Sequence, residues 1–301
     1  MTIDEKEKAL TSFFENHKKV IIAFSGGADS ALLAAAAAGA ATSPDTDALA
    51  VTVKTELVSD REIQNARDVA NEIGITHIFI DKKILELPEI ENNRKNRCYV
   101  CKKEILTTLL EYAKENGYET VVEGTNYSDV LMNEANEIPR PGFSFISEQK
   151  EIQRKRKEAN QKSGAVLPKL QTPLADLKII KEEVRELLKK RKLSVAEKPS
   201  MSCLATRFSY DSKLNPVLLK TVDRAEEMLS VTGAKQIRIR CHTDSAGRNI
   251  ARVEVGIEDG KVFFDAGNQK IIGEFIEFLK ANGFSYVTAD LEGFRSGSMD
   301  I

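Results

Sequence analysis

Through the first two thirds of the chain, short runs rich in β-branched residues alternate with longer amphipathic stretches, and this constrains the fold more than any other feature. Residues 20–24, 48–53, 77–80 and 120–123 read as strands, and 30–39, 60–73, 101–116 and 179–190 carry helical periodicity. Strand-then-helix order of this kind predicts an α/β fold, a parallel sheet covered by helices on both faces. The pattern changes near Pro199. Beyond it come a helix at 215–230, strands at 236–241 and 250–256, a helix at 268–281 and a strand at 285–289. That order predicts a smaller α+β domain with an antiparallel core, so we expect domains at 1–198 and 199–301. The glycine- and serine-rich end, "DLEGFRSGSMD", reads as a loop.

The 301 residues carry 44 Lys and Arg against 46 Asp and Glu, a net charge of −2. A dedicated nucleic-acid binder carries a basic excess, so any anion site here is local and fits a small ligand better than a long RNA. The start, "MTIDEKEKALTSFFENHKK", is charged and amphipathic without an apolar signal core, and "ALLAAAAAGAA" is too short to span a bilayer. We therefore expect a cytoplasmic protein without membrane contact. In that compartment four cysteines point to metal or catalysis before disulfides. Residues 147–161, "SEQKEIQRKRKEANQ", read as a solvated helix or an insertion.

The first strand runs into Ser25-Gly26-Gly27-Ala28-Asp29-Ser30 and then an alanine-rich helix. Two glycines let the backbone turn tightly and aim successive N–H groups at one point, and the helix adds its positive end. Ser25 and Ser30 bring hydroxyl donors, while Asp29 repels phosphate unless it holds Mg²⁺ or points elsewhere. No Gly-Lys-Ser/Thr follows, so this is not a Walker A loop. The string "SGGADS" resembles the PP-loop of the ATP pyrophosphatase superfamily, whose members cleave ATP between the α- and β-phosphates and transfer AMP. Gly124-Thr125-Asn126, after the fourth strand, resembles a loop at the sheet's carboxyl edge in several such enzymes, where open α/β sheets bind ligands. Lys54, just after the second strand, is placed to stabilise phosphate charge.

Five further strings, "AVTVKTELVSDRE", "NRCYVCKKEIL", "EKPSMSCLATRF", "IRIRCH…ARVEV" and "YVTADLEGFRSGSM", together resemble the LarE family from about Val20 onward. Arg140-Pro141-Gly142 also looks retained. The resemblance implies an ATP-dependent sulfur transferase that adenylates a carboxylate of a pyridinium mononucleotide and inserts sulfur, serving the nickel-pincer nucleotide. It implies a homo-oligomer built through the second domain, and a source of sulfide.

By themselves, the thiols of Cys98 and Cys101 suit half a zinc knuckle, a disulfide, a redox pair or two ligands of an iron–sulfur cluster. Some LarE-like enzymes sacrifice one cysteine, matching Cys203; others hold a 4Fe–4S cluster on three. Cys241 alternates with Ile237 and Ile239 on one strand face and is expected in the core, which leaves Cys98, Cys101 and Cys203. A structural zinc takes four ligands, whereas three thiolates leave one iron of a cluster open, so we expect the 4Fe–4S type. Arg97, Lys102 and Arg207 flank these thiols and favour thiolate. Arg238, Arg240 and His242 share one strand's polar face, with Arg252 and Glu254 on the next; paired, they form a cationic patch for a substrate phosphate. The resemblance extends that role to Arg207. The rivals are a PP-loop tRNA thiolase using the basic residues 155–162, an ammonia-dependent amidating synthetase, and a zinc-stabilised nucleotide-binding regulator.

Overall fold

The computed structural model describes every residue except 41–46, 136–140, 159–167, 200, 296 and 300–301, and only the backbone of 141–143 and 155–158. The chain forms two compact units. The first comprises Met1–Thr55, Glu62–Lys82 and Cys98–Ser200; the second comprises Glu56–Arg61, Lys83–Arg97 and Met201–Ile301. Among the described residues no helix is long and apolar enough to cross a membrane.

In chain order the elements up to the second sheet are α1 (Ile3–Asn16), β1 (Lys19–Ala23), α2 (Ala28–Ala40), β2 (Asp47–Lys54), α3 (Asp60–Ile73) and β3 (His77–Asp81). They continue with α4 (Pro88–Glu91), α5 (Arg97–Glu115), β4 (Thr120–Val122), α6 (Tyr127–Ala135), α7 (Pro141–Glu158), β5 (Lys169–Gln171), α8 (Pro173–Asp176) and α9 (Lys181–Lys190). The first unit is built on a five-stranded parallel sheet in the order β3-β2-β1-β4-β5. Alternation along β1 divides its side chains between two cores. Val20 and Ile22 join Leu32, Leu33 and Leu187 on one face, and Ile21 joins Leu106, Leu109 and Val121 on the other. Small side chains let α2 lie close on the sheet, and Ala31, Ala34, Ala36 and Ala37 are fully enclosed. The residues read as a charged amphipathic start form α1, capped by Thr2 in a capping box with Glu5. β5 escaped the sequence reading.

The second sheet has the order β6-β7-β8, from β6 (Ile237–Thr243), β7 (Asn249–Val255) and β8 (Phe284–Ala289). It is mixed, which corrects the expected antiparallel core: β6 and β7 run antiparallel, but β7 and β8 run parallel. The helix α11 (Gln269–Ala281) lies between β7 and β8 in the chain and supplies the crossover that a parallel pair needs. A further helix, α10 (Pro216–Ser230), precedes β6 and buries Leu219, Val222, Ala225 and Leu229.

Candidate nucleotide and thiol sites

The order of the first sheet reverses between β1 and β4, and ligands bind open α/β sheets where such a reversal leaves a crevice at the strands' carboxyl ends. Both glycine loops open there. Gly26 has φ +68°, and a Cβ at that position would lie 2.6 Å from Ala66 Cα on α3. Asn65 Nδ2 donates to the Gly26 carbonyl at 2.9 Å, fixing the turn from outside. Within the loop, Ser25 Oγ accepts from the Gly27 amide at 3.3 Å and lies 3.2 Å from Ser30 Oγ. Ser30 Oγ in turn donates to the Gly27 carbonyl at 3.1 Å.

The second loop meets the first directly. A Cβ on Gly124 would lie 3.0 Å from Asp29 Cβ and 3.3 Å from the Ser30 amide, so only a glycine lets the strands' loops approach this closely. Asn126 Nδ2 donates to Asp29 Oδ1 at 3.1 Å, and Asp129 closes a reciprocal pair of bonds with Asn126. The buried Glu123 accepts from the Thr125 amide at 3.1 Å and from Lys102 at 2.9 Å. Lys54 lies at the carboxyl end of β2, half exposed, 3.7 Å from Asp81.

Asp29, expected to carry Mg²⁺, uses its second oxygen on Lys181. In this geometry the carboxylate is an internal anchor holding a lysine at the glycine turn. Sequence reasoning missed Lys181. The signal was its position: a cation in the first turn of α9 faces the helix's own positive end, an unfavourable place unless an anion compensates.

The helix carrying the cysteine pair starts at Arg97, four residues before the predicted start. Cys98 and Cys101 therefore share a helix face three residues apart in its first turns, the former exposed and the latter half-buried. Between them Tyr99 donates to Glu148 of α7 at 2.9 Å and packs edge-on against Phe145. The charge-dense stretch is helical as far as Glu158, and its start covers this side of the cysteine helix. Arg140 and residues 159–162 lie outside the described residues.

Cys203, half-buried, is the N-cap of a 3-10 turn over Leu204–Arg207 in the second unit. None of the four cysteines is in a disulfide. Within either unit, no three His, Cys, Asp or Glu side chains among the described residues gather at one metal position; Cys98 and Cys101 belong to the first unit and Cys203 to the second. Cys241 is buried, and burial pushes its thiol up to about 11.

The arginines depart furthest from expectation. Arg207 is 1% exposed and its donors are already committed. Its Nε and Nη2 pair with the two oxygens of Glu226 at 2.8 and 2.9 Å, and its Nη1 reaches Ser202 O, Cys203 O and Thr206 Oγ1 at 2.9, 3.1 and 3.0 Å. It is a clamp for the Cys203 turn, enclosed with its counter-charge rather than presented to a ligand. Arg240, 4% exposed, is likewise spent on Glu254 and the Thr206 carbonyl. Arg238, equally buried, lies over the Phe294 ring; burial and then the charge of Arg207 bring it down to about 10. The face of β6 read as a cationic patch for a phosphate is roofed by the segment around residues 201–207 and by Phe294, because strand alternation tells which residues share a face and not what covers it. Of the four arginines assigned to phosphate, Arg252 is the one not buried; it lines a cleft and is tied to Glu254 at 3.0 Å and Asp290 at 3.1 Å. Glu226 and Glu254, both fully buried, are the acidic anchors that sequence reading passed over.

A glycine turn from the first strand into its helix, met at the sheet's reversal point by a second glycine loop, defines a PP-loop nucleotide-binding protein. The PP-loop domain family matches residues 2–131. Over nearly the whole chain the similarity extends to an uncharacterized protein of Synechocystis sp., 31% identical over 99% of this chain and 98% of the relative. An uncharacterized protein of Methanocaldococcus jannaschii is 30% identical over 94% and 93%. The pyridinium-3,5-bisthiocarboxylic acid mononucleotide synthase of Lactiplantibacillus plantarum is 29% identical over 99% and 95%. The chain belongs to the LarE family of PP-loop sulfur transferases and is an ATP-dependent enzyme.

Proposed function

We propose that the protein uses ATP to adenylate a carboxylate of a pyridinium mononucleotide and then replaces AMP with sulfur, giving a thiocarboxylate. The observation that carries the reading is the meeting of the two glycine loops around Asp29, Asn126 and Lys181. In this reading the phosphates take up the glycine loop's donors, the Gly27 amide and the Ser25 and Ser30 hydroxyls exchanging their bonds within the loop for bonds to phosphate. Lys181, held by Asp29, neutralises charge on the departing pyrophosphate. A carboxylate oxygen attacks the α-phosphorus, the bond to the β-phosphate bridging oxygen breaks, and an acyl adenylate forms. Sulfide then attacks the acyl carbon, the C–O bond to AMP breaks, and AMP leaves with that electron pair.

Three available thiols fit a site-differentiated 4Fe–4S centre better than a closed zinc site, since the fourth cysteine, Cys241, is buried. Cys98, Cys101 and Cys203 would hold it, and when bound it supplies the sulfide. Around Cys203 the chain contributes rigidity: Arg207 grips the Ser202 and Cys203 carbonyls and is itself fixed by Glu226. The assignment of Cys98, Cys101 and Cys203 rests on the family resemblance together with their thiol chemistry.

The test is turnover of anaerobically purified protein with ATP, a pyridinium carboxylate mononucleotide and isotopically labelled sulfide. AMP, pyrophosphate and labelled thiocarboxylate are expected in equal amounts, with iron and acid-labile sulfide bound in wild type and lost in Cys98→Ser. Lys181→Met is expected to slow AMP formation by about 10²-fold. One bound zinc without iron, or product lacking the label, overturns the sulfur route.

A further inference from the structure

From Ser202 to Ser209 the chain forms only one 3-10 turn and an isolated bridge at Phe208, so most of its backbone groups need partners from elsewhere. Arg207 donates to the carbonyls of Ser202 and Cys203, and Arg240 to that of Thr206 at 2.8 Å. The carbonyls of Ala205, Phe208 and Ser209 share a single donor, the side-chain amide of Asn93, at 3.3, 3.1 and 2.8 Å. We infer that Asn93 is a positioning residue for the sulfur step, joining the segment that leads into Cys98 to the turn that Cys203 opens. This deepens the proposed sulfur transfer and rests on the assignment of those two thiols to it.

Asn93 is completely buried, an uncommon place for an amide, and its backbone has φ +47°. Outside glycine that left-handed conformation is rare, and asparagine is among the residues that adopt it most readily. The main chains of the two segments are joined as well. Asn93 O accepts from the Asp211 amide at 3.2 Å, and Glu91 O from the Leu214 amide at 2.7 Å. Further out, Arg94 pairs with Asp211 at 2.7 Å, and Arg97 lies over the Tyr210 ring, 4.3 Å from its centroid. All of these residues belong to the second unit, and Cys98 directly follows Arg97 in the chain. The backbone leading into one thiol and the backbone leaving the other are thereby held as one piece.

Within this join the contributions are unequal. The Arg94–Asp211 pair is exposed and screened by water, so it holds the register weakly. The Asn93 amide is shielded from water, where a hydrogen bond resists opening. Its Oδ1 has no partner among the described residues, so the side chain acts here as a donor alone. The Cys203 turn is then gripped twice: Arg207 holds its start and Asn93 its end.

The test uses Asn93→Gly in the full-length protein, because glycine keeps the left-handed backbone and removes only the amide. Leu279→Ala, a cavity on the buried face of α11, serves as a variant destabilised without touching this join. Circular dichroism confirms that both are folded, and both are expected to keep the ATP-induced thermal shift of wild type. In metal-free protein, alkylation of Cys203 is followed by peptide mass spectrometry. It is expected to be about tenfold faster in Asn93→Gly, the effect of one lost buried hydrogen bond on local opening, and unchanged in Leu279→Ala. After anaerobic loading with iron and sulfide, Asn93→Gly is expected to bind less iron and to give an altered electron paramagnetic resonance spectrum on reduction. Leu279→Ala is expected to match wild type in both. Wild-type alkylation in Asn93→Gly overturns the assignment, as does equal acceleration in Leu279→Ala. If wild type loads with iron and Asn93→Gly does so with the same content and spectrum, the positioning role falls and the sulfur reading stands. If wild type takes up no iron, the sulfur reading falls, and the alkylation rates alone decide whether Asn93 holds the turn.

Discussion

At the residue scale, the decisive groups are carboxylates that the sequence presents without emphasis. Glu226 sits inside α10, where its spacing marks only a helical acid, yet it is completely buried. It accepts from Arg207 through both oxygens, from Arg61 at 3.3 Å and from the Ile239 amide at 3.0 Å. Glu226→Ala leaves the Arg207 guanidinium enclosed without its counter-charge. Breaking a buried pair from one side costs about 3–5 kcal/mol, and chemical denaturation is expected to show a loss of that size. The same variant is expected to speed alkylation of Cys203, because the turn bearing it loses its clamp. The arginines of "IRIRCH" were legible as cations and as alternate residues of a strand. What was not legible was that both faces of β6 are covered, since period two tells which residues share a face and not what lies over it.

At the element scale, the strand–turn–helix from β1 into α2 was readable because each of its parts is local: a β-branched run, two glycines, and an alanine-rich helix. The closeness of α3 to the turn was not. Gly26 combines a left-handed backbone with a missing Cβ that would strike the backbone of Ala66. Gly26→Ala is therefore expected to cost at least about 1–2 kcal/mol from the dihedral alone, and more once α3 is displaced. Loss of the ATP-induced thermal shift is the measurement that checks it, against an unchanged shift for an alanine at the roomier Gly74, where no neighbour lies within 4 Å. β5 went unread because Lys169–Gln171 is three residues long and only Leu170 is buried, too short a run for alternation to register. β8 was found, but its direction was misjudged. A strand that follows a helix after its neighbour reads as a crossover, and parallel pairing was the consequence to draw.

At the scale of the whole molecule, pH tests how burial and charge act together. His77 is held below its ordinary value near 6.5 by burial and then by Arg67, and His242 by burial and then by Arg252. Both bind fewer protons in the folded chain than in the unfolded one once the pH falls into the ordinary histidine range. The unfolded state therefore gains protons there, and stability is expected to fall as the pH drops through about 6.5. His77→Gln with His242→Gln should flatten that part of a pH series of denaturation midpoints. Asp4 and Glu183, held low by Lys190 and Lys6 against the opposing effect of burial on Glu183, lose their contribution only further down, as the pH falls through the carboxylate range.

By itself the sequence determined the parallel sheet of the first unit, its glycine-loop chemistry and its family, because β-branched runs, glycine turns and short motifs act over a few neighbouring residues. Only the tertiary structure decided which charges are free. Asp29 holds Lys181 from 152 positions away, and Arg207, 19 positions from Glu226, is sealed off from solvent. Burial and pairing are properties of what the fold brings together, and no local pattern records them.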